Sequence, residues 1–218
     1  KKGHVILDLN LNFDSDEEIK KDYQIKGLIK KAKINILNQI EFDDINFNFN
    51  ISQDVFLLND IKFQSEKINF ISEKFKIKKV KNHFLIDGII KNDQSILNNK
   101  ILKLLNFKYK NINIEKTKFT TSNKLSLKIN NRFKIQNINI SSNININEFK
   151  LKKPTIVQNN FSDINDYVLF KNHKLNLIYN NKNISLEGEG NIILKDSEDQ
   201  IKYLIDKNNK DLIIKSEL

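Results

Sequence analysis

Apolar residues recur at every second position along most of this chain, and no other feature narrows its possible folds as far. Val5, Leu7, Leu9, Leu11 and Phe13 alternate with Asp8, Asn10 and Asn12. Side chains of a β-strand point alternately to opposite faces, so a period of two marks a strand with one apolar and one polar face. The pattern returns at Ile34 and Ile36, and at Ile45, Phe47, Phe49 and Ile51 with Asn46, Asn48 and Asn50 between them. It continues through Ile61 and Phe63, Ile68 and Phe70, Phe75 and Ile77, and Phe84 and Ile86. Further on it reappears at Ile112 and Ile114, Leu125, Leu127 and Ile129, Ile138 and Ile140, Leu175 and Leu177, Ile184 and Leu186, and Leu212 and Ile214.

Short polar pairs punctuate these runs: Asn59-Asp60, Lys81-Asn82, Asn130-Asn131, Asn180-Asn181 and Lys207-Asn208-Asn209. Asn and Asp tolerate left-handed backbone and close Asx-turns, so these pairs predict hairpins in a meander. Two interruptions read as helices. Ser95 to Leu105 places Ile96, Leu97, Ile101, Leu104 and Leu105 on one side behind a capping Asp93 or Ser95, and Ser162 to Phe170 gathers Ile164, Tyr167 and Val168. The predicted fold is mainly β, a long curved antiparallel sheet forming an open groove, with one or two short helices. The whole of 1–218 is read as one segment of an extended repeating sheet with sub-blocks 1–92, 106–152 and 171–218.

Composition limits what such a sheet does. The chain is 39% hydrophobic, carries a formal charge of +10 and contains no cysteine. Disulfides, thiolate nucleophiles and most structural zinc sites are thereby excluded. Nucleic acid is disfavoured as a partner, because Arg132 is the only arginine and the many lysines are spread over the polar faces of nearly every strand. No methionine is present and the chain begins Lys1-Lys2-Gly3, so it is expected to be an internal piece of a longer protein whose remainder, with any membrane anchor, is a partner outside this segment. No apolar run approaches the ~20 residues of a membrane-spanning helix.

Residues for chemistry are sparse. His4, His83 and His173 are far apart and form no i, i+4 metal pair, so they read as surface or sheet-face histidines. The acidic run Asp14, Asp16, Glu17 and Glu18 lacks the glycine and distal glutamate of a calcium loop. Gly188 and Gly190 lead to no helix, which favours a close backbone approach in a sheet over a phosphate loop. An enzyme is not expected, and neither is a cofactor or metal.

A sheet apolar on one face must cover that face with a second sheet or a helix, or offer it to a ligand. Alternation alone permits a β-sandwich or β-solenoid module with a dry core as readily as an open trough. Segments such as Tyr23-Gln24-Ile25-Lys26-Gly27, Ile61-Lys62-Phe63-Gln64-Ser65-Glu66-Lys67-Ile68, Phe84-Leu85-Ile86-Asp87-Gly88 and Ile184 to Ile192 (ISLEGEGNI) have alternating runs ending in a small residue or glycine. In this texture the chain resembles the AsmA-like superfamily of bacterial envelope proteins, with its YhdP and TamB groups. The resemblance implies a β-taco-like groove in a bridge-like lipid transfer protein, anchored in the inner membrane and spanning the periplasm to carry phospholipid toward the outer membrane. Groove-facing, lipid-binding positions then follow from alternation: Val5, Leu7, Leu9, Leu11, Ile34, Ile36, Phe47, Phe49, Ile61, Phe63, Ile68, Phe70, Phe75, Ile77, Phe84, Ile86, Leu125, Leu127, Ile129, Ile138, Ile140, Leu175, Leu177, Ile184 and Leu186.

Overall fold

The computed structural model describes residues 2–16, 23–36, 40–97, 112–113, 117–152, 167–194, 197–208 and 211–218. These residues are all β, in an open antiparallel sheet whose strands follow chain order. The strands are β1 (Lys2–Asn10), β2 (Gln24–Ile36), β3 (Ile40–Ser52), β4 (Val55–Ser65), β5 (Ile68–Val80), β6 (His83–Ile96) and the short β7 (Ile112–Asn113). They continue as β8 (Lys118–Asn130), β9 (Ile135–Lys152), β10 (Tyr167–Asn180), β11 (Asn183–Leu194), β12 (Ser197–Lys207) and β13 (Leu212–Glu217). β7 pairs with β9 off the main path. Contacts divide the chain into two compact units. The first is Lys1–Asn92 with Asn123–Ile140; the second is Asp93–Ser122 with Ser141–Leu218.

No helix occurs among the described residues. Ser95 and Ile96 close β6, and Tyr167 to Phe170 open β10, so both expected helical runs give way to strand where they are described. The remainder of each run, 98–105 and 162–166, lies outside the described residues. At these described ends, Ile96 and the run Tyr167 to Phe170 supply the β-branched and aromatic side chains that suit a strand.

Most of the polar pairs do make turns. Asn181 at φ 55° turns β10 into β11, and Lys81 at φ 48° turns β5 into β6. The Asn130 carboxamide accepts hydrogen bonds from the backbone N–H groups of Arg132 and Lys134, both at 3.0 Å, closing an Asx-type loop. Asn208 does the same for Asp211 at 2.8 Å. Asn59-Asp60 is different: it lies in the middle of β4, where Asp60 adopts φ 53° without ending the strand. A left-handed residue makes a bulge as readily as a turn. The turns flanking β4 are Gln53-Asp54 and Glu66-Lys67, with Gln53, Glu66 and Lys67 all at positive φ.

Bulges explain how these long strands keep one apolar face. In the first unit the apolar positions step by three at Ile29 to Ala32, Phe42 to Ile45 and Leu58 to Ile61, and the extra residues Lys31, Asp44 and Asp60 are left-handed. The pairing shows that the face is conserved across each step. Ile29 is opposite Phe47 and Ala32 opposite Ile45, while β3 alternates regularly from Ile45 to Phe47. Phe42 is opposite Ile34, two residues beyond Ala32. Asn46 ties two of the kinks together: its carbonyl accepts from Lys31 N–H at 3.0 Å, and its amide donates to the Asp44 carbonyl at 2.6 Å.

Candidate functional site

In the first unit, directly opposed residues assemble the apolar face row by row. One row runs Leu9, Ile25, Ile51, Phe56, Ile77, Ile86 across β1 to β6. The next runs Leu7, Gly27, Phe49, Leu58, Phe75, Gly88. Beyond the bulges Ile34 faces Phe42, Ile61 faces Ser72 and Phe63 faces Phe70. Rings consolidate this part: Phe63 stacks on Phe70 at 5.1 Å between centroids and meets Phe42 edge-on at 5.4 Å. Such pairs add to area burial because ring edges and faces carry opposite partial charge.

The unit's most enclosed residues, Ile45, Phe49, Ile61, Ser65, Ile68, Ser72 and Asn92, all fall on this face. Toward the β1 edge enclosure fades, and Val5, Leu7 and Leu9 are 57%, 61% and 56% exposed. Among the described residues no second sheet and no helix covers the face. The opposite face carries Asn46, Asn48, Asn50, Lys26, Lys62, Lys76 and Asp87, paired across the same strands. Near its margin Lys33 hydrogen-bonds Glu41 and lies 2.9 Å from Asp43. Glu41 and then Asp43 raise the lysine's pKa, and the lysine holds the Asp43 carboxyl below its ordinary range.

Glycines permit close ring approach. A Cβ on Gly27 would fall 2.6 Å from the Phe49 ring, and one on Gly88 would fall 2.6 Å from the Phe75 ring. In each case an aromatic side chain from the neighbouring strand fills space the glycine leaves, and at Gly27 a Cβ would also press on the Ile6 carbonyl oxygen.

The second unit repeats the arrangement. Leu175, Leu177 and Tyr179 of β10 oppose Gly188, Leu186 and Ile184 of β11, which oppose Tyr203, Ile205 and Lys207 of β12. Asn172, at φ 53°, supplies the bulge that keeps Phe170 and His173 on the face of Leu175. His173 is 1% exposed and sits among Phe149, Phe170 and Tyr203, with ring centroids 5.3 to 5.8 Å away. Its Nδ1 is 3.0 Å from the Tyr203 hydroxyl and its Nε2 is 3.1 Å from the Asn191 carbonyl. A carbonyl only accepts, so Nε2 carries the proton and Nδ1 accepts from the tyrosine. Burial lowers the imidazole's pKa, opposed in part by Asn191, and burial pushes the Tyr203 phenol up to about 12. Gly190 lies directly beneath the imidazole.

A shallow concavity of about 630 Å³ lies on the other, polar face of this unit. Across it Lys174, Glu189, Lys202 and Glu217 face one another in turn, an alternation of charge along one cross-strand row. Opposite charges on adjacent strands favour this register and keep the face hydrated. Among the described residues no group of three His, Cys, Asp or Glu could hold a metal ion.

Most residues selected by alternation fall on these faces. In the first unit Val5, Leu7, Leu9, Ile34, Phe47, Phe49, Ile61, Phe63, Ile68, Phe70, Phe75, Ile77, Phe84 and Ile86 share one face. Leu125, Leu127 and Ile129 share one side of β8, Ile138 and Ile140 share one side of β9, and all are half-buried. Leu175, Leu177, Ile184 and Leu186 share the face of the second unit. Leu11 lies past the end of β1, and the side chain of Ile36 lies outside the described residues. Alternation missed Ile25, Ile29, Phe56, Leu58, Phe170 and His173. The bulges interrupt the period near most of them, and the unbroken run Val55-Phe56-Leu57-Leu58 conceals it in β4. No family model, no curated protein and no solved structure matches this chain.

Proposed function

We propose that this chain is a segment of a bridge-like lipid transfer protein, shielding phospholipid acyl chains against its apolar β-faces. The observation that carries the reading is the continuity of the apolar face across β1 to β6 in the first unit and across β10 to β12 in the second, with most of its side chains half exposed and no covering layer among the described residues. Apolar surface is worth about 25 cal/mol per Å² when removed from water, and each acyl methylene laid on it about 0.8 kcal/mol. Successive rows of Ile, Leu and Phe offer sites of nearly equal energy, so a chain bound at one row moves to the next over a low barrier. Headgroups remain in water beside the Lys- and Asn-rich margins.

Resemblance to the AsmA-like superfamily supports the remaining details: a periplasmic location, attachment to the inner membrane through a part of the protein outside this segment, and transfer toward the outer membrane. Native mass spectrometry of the purified chain tests the reading. Co-purified phospholipid is expected, and Phe49→Asp with Leu127→Asp removes it. Ile34→Asp, at a position 43% exposed, weakens lipid retention without disturbing the fold. A stable, lipid-free chain whose apolar faces exclude added phospholipid points instead to a structural β-sandwich or solenoid module and overturns the proposal.

A further inference from the structure

Strand pairing gathers on the polar face of the first unit some of the lysines that the sequence scatters. Lys74, Lys76 and Lys78 alternate with Phe75 and Ile77 along β5, so all three share the face opposite the rings. Residues two apart on a strand lie about 7 Å from each other, and the three stems rise in a row at that spacing. On one side of the row Val55 and Leu57 of β4 oppose Lys78 and Lys76. On the other side Leu85 of β6 opposes Lys78, and Ile89 shares its face two positions beyond Asp87. Ile71 continues the row past the irregularity before Phe75, opposite Lys62 and Lys91. Ile71 and Ile89 are 38% and 44% exposed, and the three lysines are exposed as well.

Carboxylates beside the row are largely engaged elsewhere. Glu73 is held by Lys91 at 3.2 Å and Asp60 accepts from Asn48 at 3.1 Å, which leaves Asp87 opposite Lys76. Three lysines against one carboxylate, set among aliphatic side chains, make a surface both basic and apolar. Lysine stems lie along such neighbours while their ammonium heads reach past them. That composition suits the headgroup level of an anionic bilayer, where apolar groups sink to the acyl boundary and cations stay among the headgroups. Single-stranded nucleic acid instead needs rings on which bases stack. Phe56, Phe63, Phe70, Phe75 and Phe84, the phenylalanines of β4 to β6, all lie on the other face.

We propose that this face of β4 to β6 docks on the surface of an anionic phospholipid bilayer. Lys74, Lys76 and Lys78 lie among the headgroup anions, and Leu57, Ile71 and Ile89 rest against the acyl boundary beneath them. Charge complementarity selects the occupant, and the aliphatic flanks hold it once the ammonium groups have drawn it in. The docking is independent of acyl shielding, which uses the opposite face of the same strands.

Tryptophan is absent from the chain, so Ile89→Trp places a single fluorophore on the docking face. Its emission should shift to the blue with vesicles of phosphatidylcholine mixed with phosphatidylserine and stay unchanged with phosphatidylcholine alone. Co-sedimentation of the unaltered chain with the mixed vesicles should weaken steeply between 0.1 and 1 M salt, as the Debye length falls from about 10 to 3 Å. Each lysine near an anionic surface contributes about fivefold to binding, so Lys74→Gln, Lys76→Gln and Lys78→Gln together should lower it about a hundredfold with an unchanged circular dichroism spectrum. Lys174→Gln, Lys202→Gln and Lys215→Gln together change the net charge equally and should cost far less. Equal losses from the two triple variants overturn the proposal, because net charge alone would then explain the binding. So does an unshifted Ile89→Trp emission, or tighter binding to a single-stranded oligonucleotide than to the mixed vesicles. Phospholipid retained in native mass spectrometry should be unaltered by loss of the three lysines, so docking and acyl shielding fail separately.

Discussion

Substituting Gly190 by alanine tests the packing over the second unit's apolar face more sharply than any removal of a large side chain. Gly190 lies in a regular stretch of β11, so alanine suits its backbone and the cost is steric. The new Cβ would fall 2.5 Å from His173 Cδ2 and 2.6 Å from Cγ. Carbon atoms rest about 3.5–4.0 Å apart, so the imidazole must retreat by about 1 Å. It is held at both ends, by the Tyr203 hydroxyl at 3.0 Å and the Asn191 carbonyl at 3.1 Å. Retreat loosens both bonds, each worth about 0.5–1.5 kcal/mol net, and overpacking adds roughly 1–3 kcal/mol. A loss of about 3 kcal/mol is expected, read as a lower urea midpoint by far-ultraviolet circular dichroism. In a His173→Ala background the ring is gone, and the same substitution should cost less than about 1 kcal/mol because a shared contact makes the two changes non-additive. Additive costs, or a stabilising Gly190→Ala, would refute the placement of His173 over Gly190.

Three further outcomes follow from other features. His173 is held below its ordinary pKa of 6.5, so the unfolded chain binds the proton more readily. Stability is therefore full above pH 6.5 and declines as pH falls toward the folded value. Urea midpoints at pH 7.5 and 5.5 should show a decline that is smaller in His173→Gln. Tyr203, raised to about 12, should give an alkaline absorbance step well above pH 10 that Tyr203→Phe removes, and its contribution to stability is lost as pH rises from 10 through about 12. Asp60→Val forces a β-branched residue into left-handed backbone, whereas Asp60→Gly suits it. Thermal melting should place the valine chain roughly 1–3 kcal/mol below the glycine chain, the usual cost of a strained backbone position.

Alternation made the strands legible because a half-exposed sheet writes its two faces directly into the sequence. The pattern from Ile45 to Ile51 is clear since, among the described residues, nothing packs on the polar side of that strand to demand further apolar residues. Asn59-Asp60 shows where that reading fails. The same side chains close turns and permit bulges, and only the pairing of Asn48 with Asn59 and of Asn46 with Lys62 shows that β4 runs on. His173 escaped because its burial needs Phe149 and Tyr203 from other strands, and because the bulge at Asn172 puts Phe170 on its face at a spacing of three rather than two. Glycines under rings were legible only as close approaches, without the partner ring. Ser95-Ile96 and Tyr167 to Phe170 show the reverse weakness: these described ends of two expected helical runs are strand, and so few residues satisfy a helical spacing and a strand one equally.

A sequence that alternates this regularly has a hidden ambiguity. Moving one strand past its neighbour by one residue turns every side chain to the wrong face and is heavily penalised. Moving it by two is scarcely penalised, because Ile-Asn-Ile-Asn reads the same after the shift, as in Asn143 to Asn147 of β9. The left-handed residues at Lys31, Asp44, Asp60 and Asn172 remove this degeneracy. Each is a notch at one position along an otherwise uniform ruler, and its hydrogen-bonding partner, such as Asn46 beside Lys31, fits nowhere else. A strand displaced by two residues would leave the notch facing regular backbone. The bulges thus act as alignment marks during folding, selecting one pairing from a ladder of near-equivalent ones.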